Sequence, residues 1–190
     1  MKLRSLTFIA ASLLAASVFA GPQVELKTNL GVIVVELDDK AAPKHAENFL
    51  EYAKSGHFDG TIFHRVMKGF MAQGGGFTKD MQQKPTRAAL MHEGEANTKV
   101  GAKNERGTLA AARTGDPHSA TSQFFINYKH NEFLDHKAPS GQAWGYTVFG
   151  KVVSGMEIVD KWADLPQGQV GPHGNVPKDP IVIEKATVKK

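Results

Sequence analysis

Short apolar segments separated by turn-forming residues dominate the middle of the chain, and this pattern limits the possible folds more than any other feature. Five such segments occupy residues 61–66, 70–75, 107–113, 122–127 and 146–153, with glycine, aspartate, asparagine and proline between them. Short strands with frequent turn signals are typical of an all-β sandwich or barrel. Because they do not alternate regularly with helices, a parallel doubly wound sheet is not expected.

More regular elements flank this region. Residues 24–39 contain two β-branched runs around an Asn-Leu-Gly sequence, which predicts a β-hairpin. Residues 42–56 carry apolar side chains at helical spacing after Pro43, and residues 155–164 predict a second, shorter helix. Residues 179–190 predict a closing strand.

The longest loops are expected at residues 78–106, 113–121 and 128–145. Loops of this length in a compact domain are often functional.

The N-terminus has the layout of a secretory signal peptide. Lys2 and Arg4 precede an apolar stretch, and Val18-Phe19-Ala20 has the pattern of a cleavage site that ends in a small residue. A membrane anchor is the alternative, but the apolar run is short for a span of roughly 20 residues and serines interrupt it. We therefore expect residues 1–20 to be removed and residues 21–190 to form one domain, free of the membrane. Its compartment is the periplasm in a Gram-negative host and the outside of the cell in any other host.

Charge and residue content exclude several classes of function. The formal net charge of +4 falls to +2 without Lys2 and Arg4, and the basic residues are scattered, so nucleic acid is not an expected partner. The chain has no cysteine, which excludes a thiol nucleophile and a thiolate metal site. Its eight histidines lack metal-binding spacing, so we expect neither a metal nor another cofactor. No additional domain is evident, and we expect a monomer.

The segment SQFFIN places an aromatic side chain on an unusual face. In a strand, Phe124 and Ile126 share one face, while Gln123, Phe125 and Asn127 share the other. If the first pair fills the core, Phe125 points away from it between two amides. Such a ring is either the wall of a ligand site or the contact surface of a covering helix or loop.

Arg65 lies in the segment FHRVMKGFMAQGGGF, which contains no acidic residue. Alternation predicts that Phe63 and Met67 share its face of a strand. A half-buried arginine is usually part of a structural ion pair, but the nearest acidic residues in sequence are Asp59 and Asp80. An ion pair with a distant carboxylate and a role in ligand binding both remain open on this pattern.

Together these segments resemble one protein family. FHRVMKGFMAQGGGF, SQFFIN, FLD and VFGKVVSGMEIVD follow one another in the order and spacing of the cyclophilin-type peptidyl-prolyl cis–trans isomerases. The resemblance extends from about residue 24 to residue 185 and is greatest to periplasmic bacterial cyclophilins. It implies a closed eight-stranded antiparallel β-barrel capped by two α-helices, with a binding groove on the outer wall.

The resemblance also implies a site, with Arg65 as the catalytic residue. The residues implied to hold the proline ring are Phe70, Met71, Phe125 and Leu134. Gln73 and Gln123 match amides beside the arginine, and Ala112 matches a small residue that lines the groove.

Three positions depart from the pattern of many members of the family. Phe133 stands where tryptophan is common and lacks the indole donor that contacts cyclosporin, so no more than weak cyclosporin binding is expected. Arg113 stands in place of asparagine and adds a charge. Tyr146 stands in place of a histidine and keeps an aromatic ring with a polar end.

The resemblance implies that the protein accelerates rotation about X–Pro peptide bonds in proline-containing polypeptides during the folding of exported proteins. The alternative is a chaperone or adaptor that binds proline-containing segments without catalysis. An unrelated function at the loops 78–106 or 128–145 also remains open, because a fold does not determine a function.

Overall fold

The computed structural model of this protein describes residues 21–189. The predicted signal peptide, residues 1–20, lies outside the described residues. In the described part, the helices are α1 (Pro43–Lys54), α2 (Gly94–Val100) and α3 (Met156–Trp162). The strands are β1 (Gln23–Thr28), β2 (Gly31–Leu37), β3 (Thr61–Ile62), β4 (Arg65–Met67), β5 (Met71–Gly74), β6 (Phe77–Thr78), β7 (Thr108–Ala111), β8 (Phe124–Asn127), β9 (Val148–Ser154), β10 (Gln167–Val170), β11 (His173–Pro177) and β12 (Ile183–Val188). Short 3-10 helices occupy Glu132–Leu134 and Gly141–Trp144.

Eight of these strands form one curled antiparallel sheet in the order β12-β1-β2-β9-β7-β8-β5-β4. The prediction of an eight-stranded antiparallel sheet is therefore confirmed, and so is the N-terminal hairpin, in which Thr28 pairs with Gly31. The remaining strands form two small sheets, β10-β11 and β3-β6.

The barrel differs from the predicted closed one where its edge strands β4 and β12 meet. No ladder joins these two strands among the described residues. Instead, Ile62 of β3 forms an isolated bridge with Val182, and the amide of Phe63 donates to the carbonyl of Ile181 at 2.9 Å. The strand breaks at Phe63 and His64, between β3 and β4, so it is too short to close the barrel with a continuous ladder.

The same break changes which residues share a face. Phe63 lies in the main core with Val66, whereas the side chain of Arg65 is exposed. The prediction that Phe63 shares the face of Arg65 is therefore wrong, because the alternation is not continuous through the interrupted strand.

Aromatic side chains fill the interior of the barrel. Phe49 of α1 packs within 5.2 Å of the Phe124 ring centroid, edge to face, and Phe63 lies 4.6 Å from Trp162 of α3. Both helices thus cover the main core, as the sequence predicts, and α1 begins at Pro43.

The third helix, α2, lies within residues 78–106, for which the sequence predicts a loop. Asn97 holds it in place from within: its amide group donates to the carbonyls of Ala41 and Val148, both at 2.9 Å, and its oxygen accepts from the amide of Val148 at 2.7 Å. Just before α2, the Glu93 carboxylate accepts from the amides of Lys44 and His45, at the start of α1. None of the helices in residues 21–189 is long and apolar enough to cross a membrane.

Candidate active site

Register across four strands brings the predicted site residues together. Arg65 of β4 pairs with Gln73 of β5, Gln73 pairs with Phe125 of β8, and Phe125 pairs with Ala110 of β7. Directly paired residues of a sheet point to the same side. The four side chains therefore form one row on the outer face, because their neighbours Phe124 and Leu109 point into the barrel.

A second apolar cluster covers this outer face, and we call it the outer cluster. Its buried members are Met71, Ala110, Phe125, Leu134 and Val148, and Met67, Phe70, Ala102, Ala112 and Tyr146 pack against them. Six residues implied by the resemblance lie in it: Phe70, Met71, Ala112, Phe125, Leu134 and Tyr146. The prediction that Phe125 points away from the core, opposite Phe124 and Ile126, is confirmed.

Arg65 stands at the edge of the outer cluster with its side chain exposed rather than half-buried. Within residues 21–189, no carboxylate forms an ion pair or hydrogen bond with its guanidinium. The structural ion pair that the sequence left open is thus absent from the described part of the chain. All five N–H donors of this side chain are available to a ligand.

The two predicted amides lie next to the arginine and bond to each other. The Gln73 Nε2 donates to the Gln123 Oε1 at 2.9 Å. The glycines at residues 74–76 allow close approaches here. A Cβ on Gly76 would overlap the Gln123 Cγ, and a Cβ on Gly74 would lie 2.9 Å from the Ile62 carbonyl oxygen. The glycines are therefore required by close packing between strands.

On the far side of the groove, Tyr146 is held by three contacts. Its ring lies edge-on to Phe125 at 5.4 Å, and the Arg113 guanidinium carbon lies 4.6 Å from its centroid. Its amide donates to the Leu134 carbonyl at 2.9 Å. The Nε of Arg113 donates to the carbonyl of Gly145 at 2.9 Å. The charge of Arg113 is consequently fixed over the Tyr146 ring.

His92 supports the same segment and was not identified from the sequence. Its Nδ1 accepts from the Gly94 amide at 2.9 Å, and its Nε2 lies 3.3 Å from the Gly145 carbonyl oxygen and donates to it. Burial lowers the pKa of His92 to about 4; the Gly145 carbonyl opposes this decrease, and nearby charges including Arg113 add to it. The ring is therefore neutral at pH 7, in the tautomer that both hydrogen bonds require.

Phe133 and Phe70 form the open end of the groove. Their rings stack with centroids 5.7 Å apart, and the Phe133 side chain is 65% exposed. Its neighbour Leu134 is only 7% exposed and belongs to the outer cluster. Phe133 therefore extends the apolar surface without closing it.

Buried asparagines hold the groove from below and were also not identified from the sequence. Asn131 donates to the Phe70 carbonyl at 3.0 Å and to the Asn127 Oδ1 at 2.8 Å, and Asn104 donates to the Leu134 carbonyl at 3.0 Å. Asn127 in turn donates to the Asn104 Oδ1 at 3.3 Å. These bonds fix the backbone at two groove residues. Of these asparagines, only Asn127 stands out in the sequence, because alternation in SQFFIN predicts that it shares the outward face with Phe125.

No group of three or more histidine, aspartate and glutamate side chains in residues 21–189 is arranged to hold a metal ion. The site consists of a permanent cation, two amides and an apolar surface. Such a set is suited to binding an uncharged, partly apolar ligand with hydrogen-bond acceptors.

Comparison with known proteins agrees with this site. A family model described as cyclophilin type peptidyl-prolyl cis-trans isomerase matches residues 23–188. A peptidyl-prolyl cis-trans isomerase of Streptomyces antibioticus is 53% identical over 87% of this chain and 97% of its own length. Peptidyl-prolyl cis-trans isomerase B of Escherichia coli is 50% identical over 88% of this chain and 99% of its own.

Solved structures show the same fold. A crystal structure of a cyclophilin type isomerase of Cryptosporidium parvum superimposes with a TM-score of 0.68 at 27% identity, covering 89% of this chain and 98% of that one. The family match spans nearly all of the described residues, and the relatives are matched over almost their whole length. This chain therefore belongs to the cyclophilin-type peptidyl-prolyl cis–trans isomerases.

Proposed function

We propose that this isomerase acts on X–Pro bonds of proteins that fold after export, with Arg65 as its catalytic residue. The observation that carries the assignment of Arg65 is its position: an exposed guanidinium without a carboxylate partner in residues 21–189, beside the outer cluster. A structural ion pair would have occupied its donors, whereas here they are free to meet a peptide group.

The chemistry requires stabilisation of a twisted amide. Partial double-bond character gives the peptide bond a rotational barrier of roughly 18–20 kcal/mol. Twisting returns the lone pair to the nitrogen, so a donor aimed at that nitrogen favours the twisted state over the planar one. The guanidinium of Arg65 is suited to this task because it is always charged and rigid at its tip. No bond is broken and no proton is transferred.

The apolar groove supplies the second requirement, a grip on the proline ring. Phe70, Met71, Phe125 and Leu134 provide the walls, and Ala112 leaves room between them. Gln73 and Gln123 satisfy each other in the free protein and are placed to bond a substrate carbonyl or Arg65. When the proline ring is held in this way, rotation about the X–Pro bond takes place by movement of the preceding carbonyl.

Magnitudes show that Arg65 does not act alone. A rate increase of about 10⁵ requires a barrier decrease of about 7 kcal/mol, at roughly 1.4 kcal/mol per factor of ten. One hydrogen bond to a charged group contributes about 1.5–3 kcal/mol. Exclusion of water by the groove and its fixed geometry are needed for the remainder. The asparagine network beneath Phe70 and Leu134 supports that fixed geometry.

Export is proposed from the signal-peptide pattern of residues 1–20, and the periplasm follows for a Gram-negative host. We propose that the protein acts there as a monomer on proline-containing polypeptides, and that it binds cyclosporin weakly.

A non-catalytic chaperone or adaptor role is the second candidate, since an apolar groove alone suffices for binding. A further crystal structure of the Cryptosporidium parvum isomerase was obtained in the presence of the dipeptide Ala-Pro.

The decisive experiment compares isomerisation of a short X–Pro peptide by the wild-type protein and by Arg65→Ala. Loss of the guanidinium is expected to lower kcat/KM by roughly 10- to 150-fold, the equivalent of about 1.5–3 kcal/mol, with folding unchanged by circular dichroism. Arg87→Ala is the matched control, because Arg87 is also exposed but lies beside Tyr52, outside the groove. Undiminished turnover in Arg65→Ala would refute the catalytic assignment, and absent turnover in the folded wild type would favour the binding role.

Sequencing the N-terminus of exported protein tests cleavage after Ala20.

A further inference from the structure

A pocket adjoins the groove on the side of Arg65, where the β10–β11 hairpin packs beside β4. It has a volume of about 460 Å³ and lies between hairpin residues 172–175 and the side chains of His64, Arg65, Gln73, Phe77 and Gln123. We call it the hairpin pocket. Because three of its residues also border the groove, a polypeptide held at the groove reaches the pocket with a residue next to its proline.

The composition of the hairpin pocket favours one kind of guest. Among the described residues that line it there is no aspartate or glutamate, whereas Arg65, two histidines and three amide side chains are present. Arginine, histidine and amide N–H groups are all donors to a carboxylate. The pocket therefore presents a cation and several donors to whatever enters it, with no charge to repel an anion.

His64 is a buried member of the pocket lining. The side chain is 3% exposed, and its Nδ1 has no partner with hydrogen-bonding geometry in the described part of the chain. Burial lowers the pKa of His64 to about 4, with nearby His173 and Arg65 adding to the decrease and the Ile62 carbonyl opposing it. The neutral ring adds no charge to the pocket, so the permanent cation that a guest meets there is Arg65.

The walls of the pocket are fixed rather than adaptable. The rings of His64, Phe77 and His173 pack together, with centroids 4.7 Å apart for the first pair and 5.1 Å for the second. Asn175 has a left-handed backbone with φ of 58°, a conformation that asparagine tolerates better than most residues. Its side chain lies 3.5 Å from the Gln167 Oε1 across the hairpin. These contacts keep the hairpin turn, and hence the pocket, in one shape.

We propose that the hairpin pocket is a substrate subsite that takes an acidic side chain within two residues of the isomerised X–Pro bond. This rests on the proposed function, because it assumes that substrate lies in the groove beside Arg65. It adds a preference that the groove itself does not explain: X–Pro sites flanked by aspartate or glutamate are better substrates than those flanked by lysine.

The test uses peptides that share one X–Pro bond and carry aspartate, asparagine or lysine at each flanking position in turn. For the wild-type protein, kcat/KM is expected to be about three- to tenfold higher for aspartate than for lysine at one of these positions, as for unit charges about 4 Å apart in surroundings close to bulk water, because Arg65 and Asn175 are exposed. Asn175→Asp places a carboxylate in the pocket without changing side-chain size, and should abolish or reverse this ratio. His173→Glu gives an independent second variant with the same expectation.

Gln169→Glu is the matched control. It adds the same negative charge to the same hairpin, but Gln169 is exposed and does not line the pocket. The ratio should therefore stay at its wild-type value. An equal fall in Gln169→Glu and Asn175→Asp would show a general charge effect and overturn the subsite, as would equal kcat/KM for aspartate and lysine peptides in the wild type.

Failure of the proposed function would look different, because no peptide would then be turned over at all. Affinities of the same peptides, measured by fluorescence titration, would decide the subsite in that case. A higher affinity for the aspartate peptide that disappears in Asn175→Asp would support the pocket, and equal affinities would overturn it.

Discussion

Replacement of Glu93 by glutamine tests whether a residue remote in sequence holds helix α1 in place. The Glu93 side chain is 11% exposed and accepts three hydrogen bonds: from the amides of Lys44 and His45 at 3.1 and 3.0 Å, and from the His45 Nδ1 at 2.6 Å. The first amides of a helix have no partner within it, and α1 has no side-chain cap of its own. Glu93 performs that task from 48 residues away.

The loss of stability expected for Glu93→Gln follows from these contacts. Glutamine has one acceptor oxygen, and its NH₂ group would face a donor that it cannot bond. One buried donor left without a partner costs about 1–3 kcal/mol. The remaining bonds lose their charge and become roughly half as strong. We expect Glu93→Gln to lower the free energy of unfolding by about 2–4 kcal/mol, or Tm by roughly 4–16 °C for a domain of this size.

The pH dependence gives a second measurement of the same contact. Burial alone would raise the pKa of Glu93, but the hydrogen bonds from His45 and Lys44 outweigh it and hold the pKa below its ordinary value of 4.5. A carboxyl whose pKa is lower in the folded state stabilises the fold above its unfolded pKa. That stabilisation is lost as pH falls through the folded pKa. The difference between wild type and variant should therefore be constant near pH 7 and shrink below about pH 4.5.

Urea unfolding at pH 7 and at pH 3–4 is the assay, with Glu47→Gln as control. Glu47 lies on α1 as well but is exposed, and an exposed substitution of this kind changes stability by about 0.5 kcal/mol or less. If Glu93→Gln behaves like Glu47→Gln, or if its effect does not depend on pH, the capping role is refuted.

Three further predictions concern the groove and the surface. Phe133→Trp should tighten cyclosporin binding measured by fluorescence titration, because the indole N–H restores a donor at the open end of the groove; unchanged affinity would show that other positions limit it. Gly76→Ala should displace Gln123, lowering kcat/KM and destabilising the fold by about 1–3 kcal/mol in urea, whereas wild-type values for both would contradict the packing argument. Asp160→Asn removes an ion pair to Arg106, in which the Asp160 side chain is 42% exposed and the Arg106 side chain 50%. The free energy of unfolding in urea should therefore fall by less than about 1 kcal/mol, and a fall of more than about 2 kcal/mol would be inconsistent with a surface pair.

Local sequence patterns predicted the features that depend on neighbours in the chain. The hairpin of β1 and β2, the start of α1 at Pro43 and the outward direction of Phe125 all follow from periodicity and turn residues. Periodicity predicted the wrong face for Phe63, because the sequence pattern does not show that the strand is interrupted at Phe63 and His64.

Features that depend on distant partners were not accessible in this way. Asn97 joins α2 to Ala41 and Val148, 56 and 51 residues away, and an asparagine in a loop-like stretch carries no sign of such bonds. The hairpin pocket likewise forms between segments about a hundred residues apart in the sequence, so none of its lining residues on β11 could be assigned to the site. The resemblance to a family identified the groove residues but not the asparagines that hold them.

The two apolar clusters lie on opposite faces of the same strands, and this separation has a consequence for how the protein can change over generations. Phe125 and Met71 belong to the outer cluster, while Phe124 and Ala72, one residue along each strand, belong to the main core. Effects of substitutions usually add when the sites share no partners and lie more than about 7–10 Å apart, as most pairs of residues drawn from the two clusters do only when they are not adjacent along a strand. A lineage can therefore alter its choice of substrates through the outer face while the inner face keeps the domain folded, so that new specificities arise without compensating changes in the core.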